Sequence, residues 1–296
     1  MTNSPLQTLP DAQLAPMQRA YAEAQAAKNL RLAAMFIAFV IALVLSADVT
    51  ELNPVKLWER RGELLDYFNH LAHLENGAWV ISDPVEWFWN LKGWSLLLLE
   101  TIVMSYVGTL TGAAVAFVLC FVASTNITQN PLTRAAARRA MEILRTVPDL
   151  VFALIFVEAF GLGPMAGVLA LALHTSGALG KQFFELVENI DPKPMDGILA
   201  SGGSKLHAIR FAVLPQIIAG LASYTVLRFE INVREASVLG YVGAGGIGFK
   251  LLEAIRKFYY SDISAILVML MLTVFAIEIS MSYARAKFLP EPGTTR

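Results

Sequence analysis

From Ser95 to Ala123 the chain carries a single charged residue, Glu100, in an otherwise apolar run. A bilayer core is crossed by about 20 apolar residues, and in lipid a lone segment meets its own backbone hydrogen bonds only as a helix. This run therefore predicts a membrane span long enough to tilt or protrude. Other apolar runs recur at Leu32 to Leu45, Thr146 to Phe160, Met165 to Phe184, Gln216 to Ile231 and Ile263 to Tyr283. With 56% hydrophobic and 16% charged residues and a mean hydropathy of +0.55, the balance is far from that of a soluble domain. The expectation is an all-α integral membrane protein with about six transmembrane helices.

Charge assigns the sides. Arg19, Lys28 and Arg31 precede the first run, and Arg134, Arg138, Arg139 and Arg145 follow the second against one acid, Glu142. Cytoplasmic loops are the ones enriched in Lys and Arg, so both segments read as cytoplasmic, as does the end of the chain with Arg285 and Lys287. The predicted organisation is a cytoplasmic segment 1–31, a first span 32–47, a periplasmic amphipathic segment 48–94, a core 95–285 and a cytoplasmic tail 286–296. Pro5, Pro10 and Pro16 are expected to stop any early helix. A polar lead of this length and the weak processing signal at Ser46-Ala47 favour a retained span over a cleaved signal peptide.

Residues 48–94 are acidic on balance and hold all five tryptophans, Trp58, Trp79, Trp87, Trp89 and Trp94. Leu57, Leu64, Leu65, Phe68 and Leu71 recur at roughly helical spacing. Short helices on the outer membrane surface, with aromatic rings at headgroup level, account for this better than an aromatic ligand cage. His70 and His73 lack a nearby third ligand, so interfacial histidines are the better reading than a metal site. A net charge of −1 argues against nucleic acid as a partner, and the lone Cys120 excludes an internal disulfide. Gly108-x-x-x-Gly112 is a spacing that lets another helix approach closely. Glu158, His174 and Lys181 are read as buried polar positions of the middle spans, with Lys181 snorkelling towards an interface.

Between these spans lies a polar interruption from Asp191 to Pro215, cytoplasmic by span count. Asp191-Pro192-Lys193-Pro194 halts the preceding helix. Met195 to Ser201 can form two helical turns, the Gly202-Gly203 pair ends them, and Ser204 can cap a following helix. Leu214-Pro215 closes the loop before the next span.

This stretch resembles the cytoplasmic signature of permease subunits of ATP-binding-cassette importers: Glu-Ala-Ala, three residues, Gly, nine residues, Ile, one residue, Leu-Pro. The matching positions are Asp196, Gly197, Ile198, Gly202, Ala212, Leu214 and Pro215. Spacing is kept, while Asp replaces Glu, Gly-Ile replaces Ala-Ala and Ala replaces Ile. Arg228 to Gly240 (RFEINVREASVLG), Tyr241 to Gly248 (YVGAGGIG), Thr146 to Phe156 (TVPDLVFALIF) and Leu169 to His174 (LALALH) are similar to stretches of phosphonate-importer permeases. The resemblance covers roughly residues 95 to 285.

The resemblance implies the type I importer permease fold in a bacterial cytoplasmic membrane with both termini inside. It implies a second copy of the permease, a separate ATP-binding-cassette ATPase dimer and a periplasmic substrate-binding protein as partners. No cofactor is expected on this chain, because ATP and Mg belong to the ATPase. Asp196 to Gly202 would be the coupling helix, and the substrate class would be phosphonate or a related phosphorus oxyanion.

Arg228, Glu230, Asn232, Arg234 and Glu235 form the densest polar cluster of the apolar half. Charges in such a place pair with one another or line a hydrated cavity. Arginine suits bidentate recognition of an oxyanion, so Arg228 or Arg234 is a candidate substrate contact, with internal Arg and Glu pairs as the alternative. Gly243, Gly245, Gly246 and Gly248 spell a dinucleotide fingerprint, which has meaning only between a strand and a helix of a nucleotide fold. An irregular backbone lining a cavity and bending as a gate is the expectation here. Importers of other small solutes share the coupling signature. An autonomous carrier would need no coupling helix and often shows paired repeats of broken spans, and no such repeat is present; nor does any enzyme-like nucleophile and base recur together.

Overall fold

The computed structural model describes residues 11–50 and 54–288. The chain divides into two units, Met1–Tyr67 and Phe68–Arg296. In the first lie α1 (Asp11–Val49), α2 (Pro54–Glu59) and most of α3 (Arg61–Leu71). The apolar side chains of α1 from Leu30 to Leu45 are exposed, as a lipid-facing helix requires. Pro16 does not stop this helix but sits inside it. It falls in the second turn, where the one donor it lacks would have bonded a carbonyl of the first turn. Pro5 and Pro10 lie outside the described residues.

The second unit contains α4 (Pro84–Trp87), α5 (Leu91–Ala123), α6 (Pro131–Thr146), α7 (Asp149–Phe160), α8 (Pro164–Glu188), α9 (Lys193–Ala200), α10 (Lys205–Ala208), α11 (Leu214–Leu239), α12 (Ile247–Lys257) and α13 (Tyr260–Phe288). Each apolar run of the sequence is helical apart from Val147-Pro148, which separates α6 from α7 at the start of the third run. Among the described residues, four helices are long and apolar enough to cross a membrane: Arg19–Ala47, Leu91–Ala123, Lys205–Val242 and Tyr260–Lys287. α8, with 25 residues, also has the length, but His174, Lys181 and Glu185 make it more polar. α7 has 12 residues, about 18 Å at ~1.5 Å per residue, which is short of a core about 30 Å thick.

Small residues let α8 occupy the centre. A Cβ on Gly108 of α5 would meet Leu171 Cβ at 2.8 Å, and one on Gly112 would meet Thr175 Cβ at 2.7 Å and the Ala172 carbonyl at 2.8 Å. The Gly-x-x-x-Gly pair is thus the seat of α8 on α5, which is the close approach small residues permit in membranes. On another side, Gly177 of α8 leaves room for the Met141 carbonyl and the Arg145 amide of α6, each at 2.7 Å from such a Cβ.

One end of this bundle is tied by Arg138 of α6. Its Nε donates to the Ala123 carbonyl at 2.9 Å, its Nη2 donates to Glu188 Oε1 at 2.6 Å, and its guanidinium lies over Phe184, 4.7 Å from the ring centroid. The Thr125 amide donates to the same Glu188 oxygen at 2.6 Å. The arginine-rich α6 and the facing ends of α5 and α8 therefore share one end of the molecule.

At the other end the tryptophans serve mainly as a clamp. Trp87 Nε1 donates to Ser264 Oγ at 3.0 Å and Trp89 Nε1 to Asp262 Oδ1 at 2.8 Å. Trp94 is buried among Leu98, Ile247, Leu251 and Ile266, and His70 stacks on Tyr260 at 5.1 Å. These contacts hold residues 70–94 on the start of α13, while Trp58 and Trp79 stay exposed.

Candidate coupling helix and translocation path

α9 is built by punctuation. Pro192 is its N-cap residue and Pro194 stands in its first turn, where a missing backbone donor removes no helical bond; the helix thus starts ahead of the expected Met195. At its other end Gly202 takes φ +84°, a left-handed conformation suited to glycine. The Gly202 amide donates to the Leu199 carbonyl at 3.0 Å and the Gly203 amide to the Ile198 carbonyl at 2.9 Å. Ser204 then caps α10 in a capping box with His207. No residue of α9 is buried, Asp196 and Gly197 are exposed, and a Cβ on Gly197 would meet nothing within 4 Å. Paired bonds between Gln216 and the Asp191 backbone, at 3.0 and 3.3 Å, fix the loop to α11.

Leu214-Pro215 does not end the loop as the sequence suggests. The helix runs on from α10 into α11 through a wide turn at Ile209–Val213, where the Leu214 amide bonds the Ile209 carbonyl. Local widening to a five-residue hydrogen bond is one way a helix takes in a position without a normal donor. Past the Ser201–Ser204 turn that ends α9, α10 is thereby joined to α11 by continuous helix, and the Gln216–Asp191 bonds tie the start of the loop to the same helix.

α11 also extends through the polar cluster rather than ending before it. Arg228 and Glu235, seven residues apart and so on one face, pair with Nη2 3.0 Å from Oε2. Arg228 Nε is buried without a partner among the described residues. Glu230 faces elsewhere and accepts from Arg285 of α13 at 2.8 Å. Arg234 is exposed. Asn232 sits inside the protomer core, fully buried: its amide donates to Thr109 Oγ1 at 2.7 Å and Thr175 Oγ1 at 2.9 Å. It knots α5, α8 and α11 together, so within one protomer it is a packing residue and lines no open path.

The glycine segment forms an irregular turn between α11 and α12, with Gly243, Gly245 and Gly246 at φ +81°, +88° and +75°. It is anchored along its length. The Gly163 amide donates to the Gly243 carbonyl at 2.9 Å, the Gly246 amide to Glu100 Oε1 at 3.0 Å and the Ile247 amide to Thr101 Oγ1 at 3.0 Å. A Cβ on Gly245 would press on Pro164 at 2.9 Å, and one on Gly248 would collide with the Ser237 carbonyl. These glycines are spacers that join the ends of α5, α8 and α11. Sequence reading missed Glu100 and Thr101 as the groups that hold the turn, because each lies 146 positions away from its partner.

One further expectation is corrected: Glu158 is exposed at the last turn of α7, not buried. The side chain of Lys181 is about half exposed beside Glu185, as a snorkelling lysine would be. The described residues contain no group of three or more His, Cys, Asp or Glu placed to hold a metal.

An exposed helix outside a helical bundle, linked through a short turn to a continuous helix that enters the core, is the architecture of a membrane subunit driven from outside. Residues 108–290 match the family described as binding-protein-dependent transport system inner membrane component, and the chain belongs to that family. It is a transport subunit, not an enzyme. It is 37% identical over 201 residues to the phosphite transport system permease protein of Stutzerimonas stutzeri, covering 68% of this chain and 73% of that relative. It is 37% identical over 198 residues to the phosphate-import permease protein of Mycolicibacterium smegmatis, covering 67% of this chain and 37% of that longer protein. A cryptic phosphonate transport system permease protein of Escherichia coli, described as putative, is 46% identical over 122 residues, 41% of this chain and all of that one. Among solved structures, an inward-facing methionine ABC transporter aligns with a TM-score of 0.57 at 19% identity, covering 68% of this chain and 96% of that one, which shows a shared fold.

Proposed function

We propose that the chain is the transmembrane permease of an ATP-driven importer for phosphonate or a related phosphorus oxyanion: phosphite, hypophosphite or phosphate. In this reading two copies form the pathway, a periplasmic binding protein delivers the substrate, and a separate ATPase dimer carries ATP and Mg. The observation that carries it is the exposed helix α9, braced between Pro192 and Gly202 and followed, after the Ser201–Ser204 turn, by α10, which runs on through the Ile209–Val213 turn into the helix that bears Arg228. A short rigid helix between two breaks moves as a unit and passes closure of a bound partner to the spans on either side. The substrate class is supported by relatives named for phosphite, phosphate and phosphonate at 37 to 46% identity.

The coupling residues are Asp196, Gly197, Ile198, Gly202, Leu214 and Pro215, and the path residues are Arg228, Arg234 and Glu235. The clustering of α6 arginines at the end of the bundle where α5 stops and α8 stops supports a cytoplasmic position for that end, with both termini on the same side. Purification of the chain with its ATPase, followed by uptake in proteoliposomes with the binding protein, tests the proposal. ATP-dependent accumulation of phosphite or a phosphonate is expected. Uptake that proceeds without the ATPase would overturn it.

A further inference from the structure

α8 presents His174, Ala178, Lys181, Gln182 and Glu185 along one face, and with Arg145 at the end of α6 they line a cavity of about 430 Å³. Arg145 is exposed, and its guanidinium has no ion-pair or hydrogen-bond partner among the described residues. Lys181 Nζ stands 3.6 Å from Glu185 Oε1, beyond hydrogen-bond length, so its three donors remain open to a ligand. Also lining the cavity, His174 has its Nδ1 buried with no partner among the described residues. Buried polar groups nearly always find partners. A cavity with one unpaired cation, a second cation held only in a loose ion pair and a buried ring nitrogen without a partner is arranged for a polar occupant.

The chemistry of that occupant follows from the donors and acceptors. Two cations suit anionic oxygens. A neutral imidazole offers one acceptor nitrogen, which fits a hydroxyl group on the same small ion. A singly protonated phosphorus oxyanion carries both, whereas sulfate near neutral pH carries no proton.

We propose that this cavity is an oxyanion station on the transport path, in which Arg145 and Lys181 hold the anionic oxygens and His174 accepts a hydrogen bond from the P–OH group. It rests on the reading of the chain as a phosphorus-oxyanion permease and adds the residues that recognise the ion inside the membrane subunit. Glu185, the one acid lining the cavity, keeps Lys181 oriented and gives it up as the ion enters.

The test uses the full complex with its ATPase and binding protein. Ala178→Cys places a thiol in the cavity wall, and its labelling rate by a charged thiol reagent is followed; the native Cys120 is fully buried. In mildly acidic buffer, at about pH 6, where phosphite is largely the monoanion that carries a P–OH group, phosphite should slow labelling at least fivefold relative to chloride, and more than sulfate does. Adding Arg145→Gln with Lys181→Met should abolish that protection, whereas Arg145→Lys with Lys181→Arg should keep most of it. His174→Ala should remove the preference for phosphite over sulfate.

Labelling indifferent to phosphite in the Ala178→Cys complex would overturn the proposal, as would protection and uptake that survive neutralisation of both cations. The broader reading fails separately. A complex that takes up no phosphorus oxyanion while phosphite still protects Ala178→Cys would keep the binding site and refute the transport substrate.

Discussion

Arg285 donates to the Glu230 carboxylate at 2.8 Å and so fastens α13 to α11, with the glutamate side chain only 6% exposed. Removing one member of a buried pair leaves the other charged and unpaired, which costs about 3 kcal/mol or more. Glu230→Ala should lower the thermal midpoint of the purified permease sharply. Glu230→Gln, which can still accept from the guanidinium, should lower it less, and the charge-swapped pair Glu230→Arg with Arg285→Glu should recover part of the loss. Equal midpoints for Glu230→Ala and the parent would mean that the pair does not hold these helices.

Gly112 should be the least forgiving glycine of α5. A methyl group there meets Thr175 and the Ala172 backbone well inside contact distance, and overpacking of this kind costs roughly 1–3 kcal/mol. Gly112→Ala should destabilise the protein by that amount. Gly62→Ala, where nothing lies within 4 Å, should not. Melting of the two variants side by side separates close helix packing from a general intolerance of substitution.

Asn232→Ala should act through stability and leave selectivity unchanged. It removes two buried hydrogen bonds, to Thr109 and Thr175, each worth about 1 kcal/mol net. Uptake per folded complex should stay near the parent level. A changed preference among oxyanions at full stability would instead put Asn232 on the path.

Arg234→Glu probes the path without touching an internal pair, since Arg234 is exposed and surface substitutions typically shift stability by no more than about 0.5 kcal/mol. Uptake should fall at least tenfold while the complex assembles normally. Unchanged uptake would remove Arg234 from the list of substrate contacts. Arg228→Glu is a less clean probe, because it would set two carboxylates against each other in place of the Arg228–Glu235 pair.

Much of the fold was legible because its signals are local. Apolar run length located the spans, Gly108 and Gly112 marked a helix contact, and the prolines and glycines around α9 marked its two ends. What was hidden depends on partners distant in the chain. Nothing near Glu100 indicates that its carboxylate receives the Gly246 amide. Nothing near Trp87 or Trp89 indicates Ser264 or Asp262. The polar cluster on α11 was seen, but its division was not: only the helix register and the neighbouring helices decide that Arg228 pairs with Glu235, that Glu230 pairs with Arg285 and that Asn232 is sealed in the core. Pro16 and Pro215 were overread as stops. A proline near a helix start or beside a widened turn loses little.

If α9 transmits ATP hydrolysis to the spans, as proposed, the ratio of transport to hydrolysis depends on the brace at its two ends. Gly202→Val forces a β-branched residue into the left-handed conformation at the end of α9, which costs on the order of 1–2 kcal/mol and disturbs the brace without touching the membrane helices. In proteoliposomes containing the complete importer, the account predicts that the variant still assembles and hydrolyses ATP while phosphite taken up per ATP falls at least tenfold. An unchanged ratio in the fully assembled variant would contradict it.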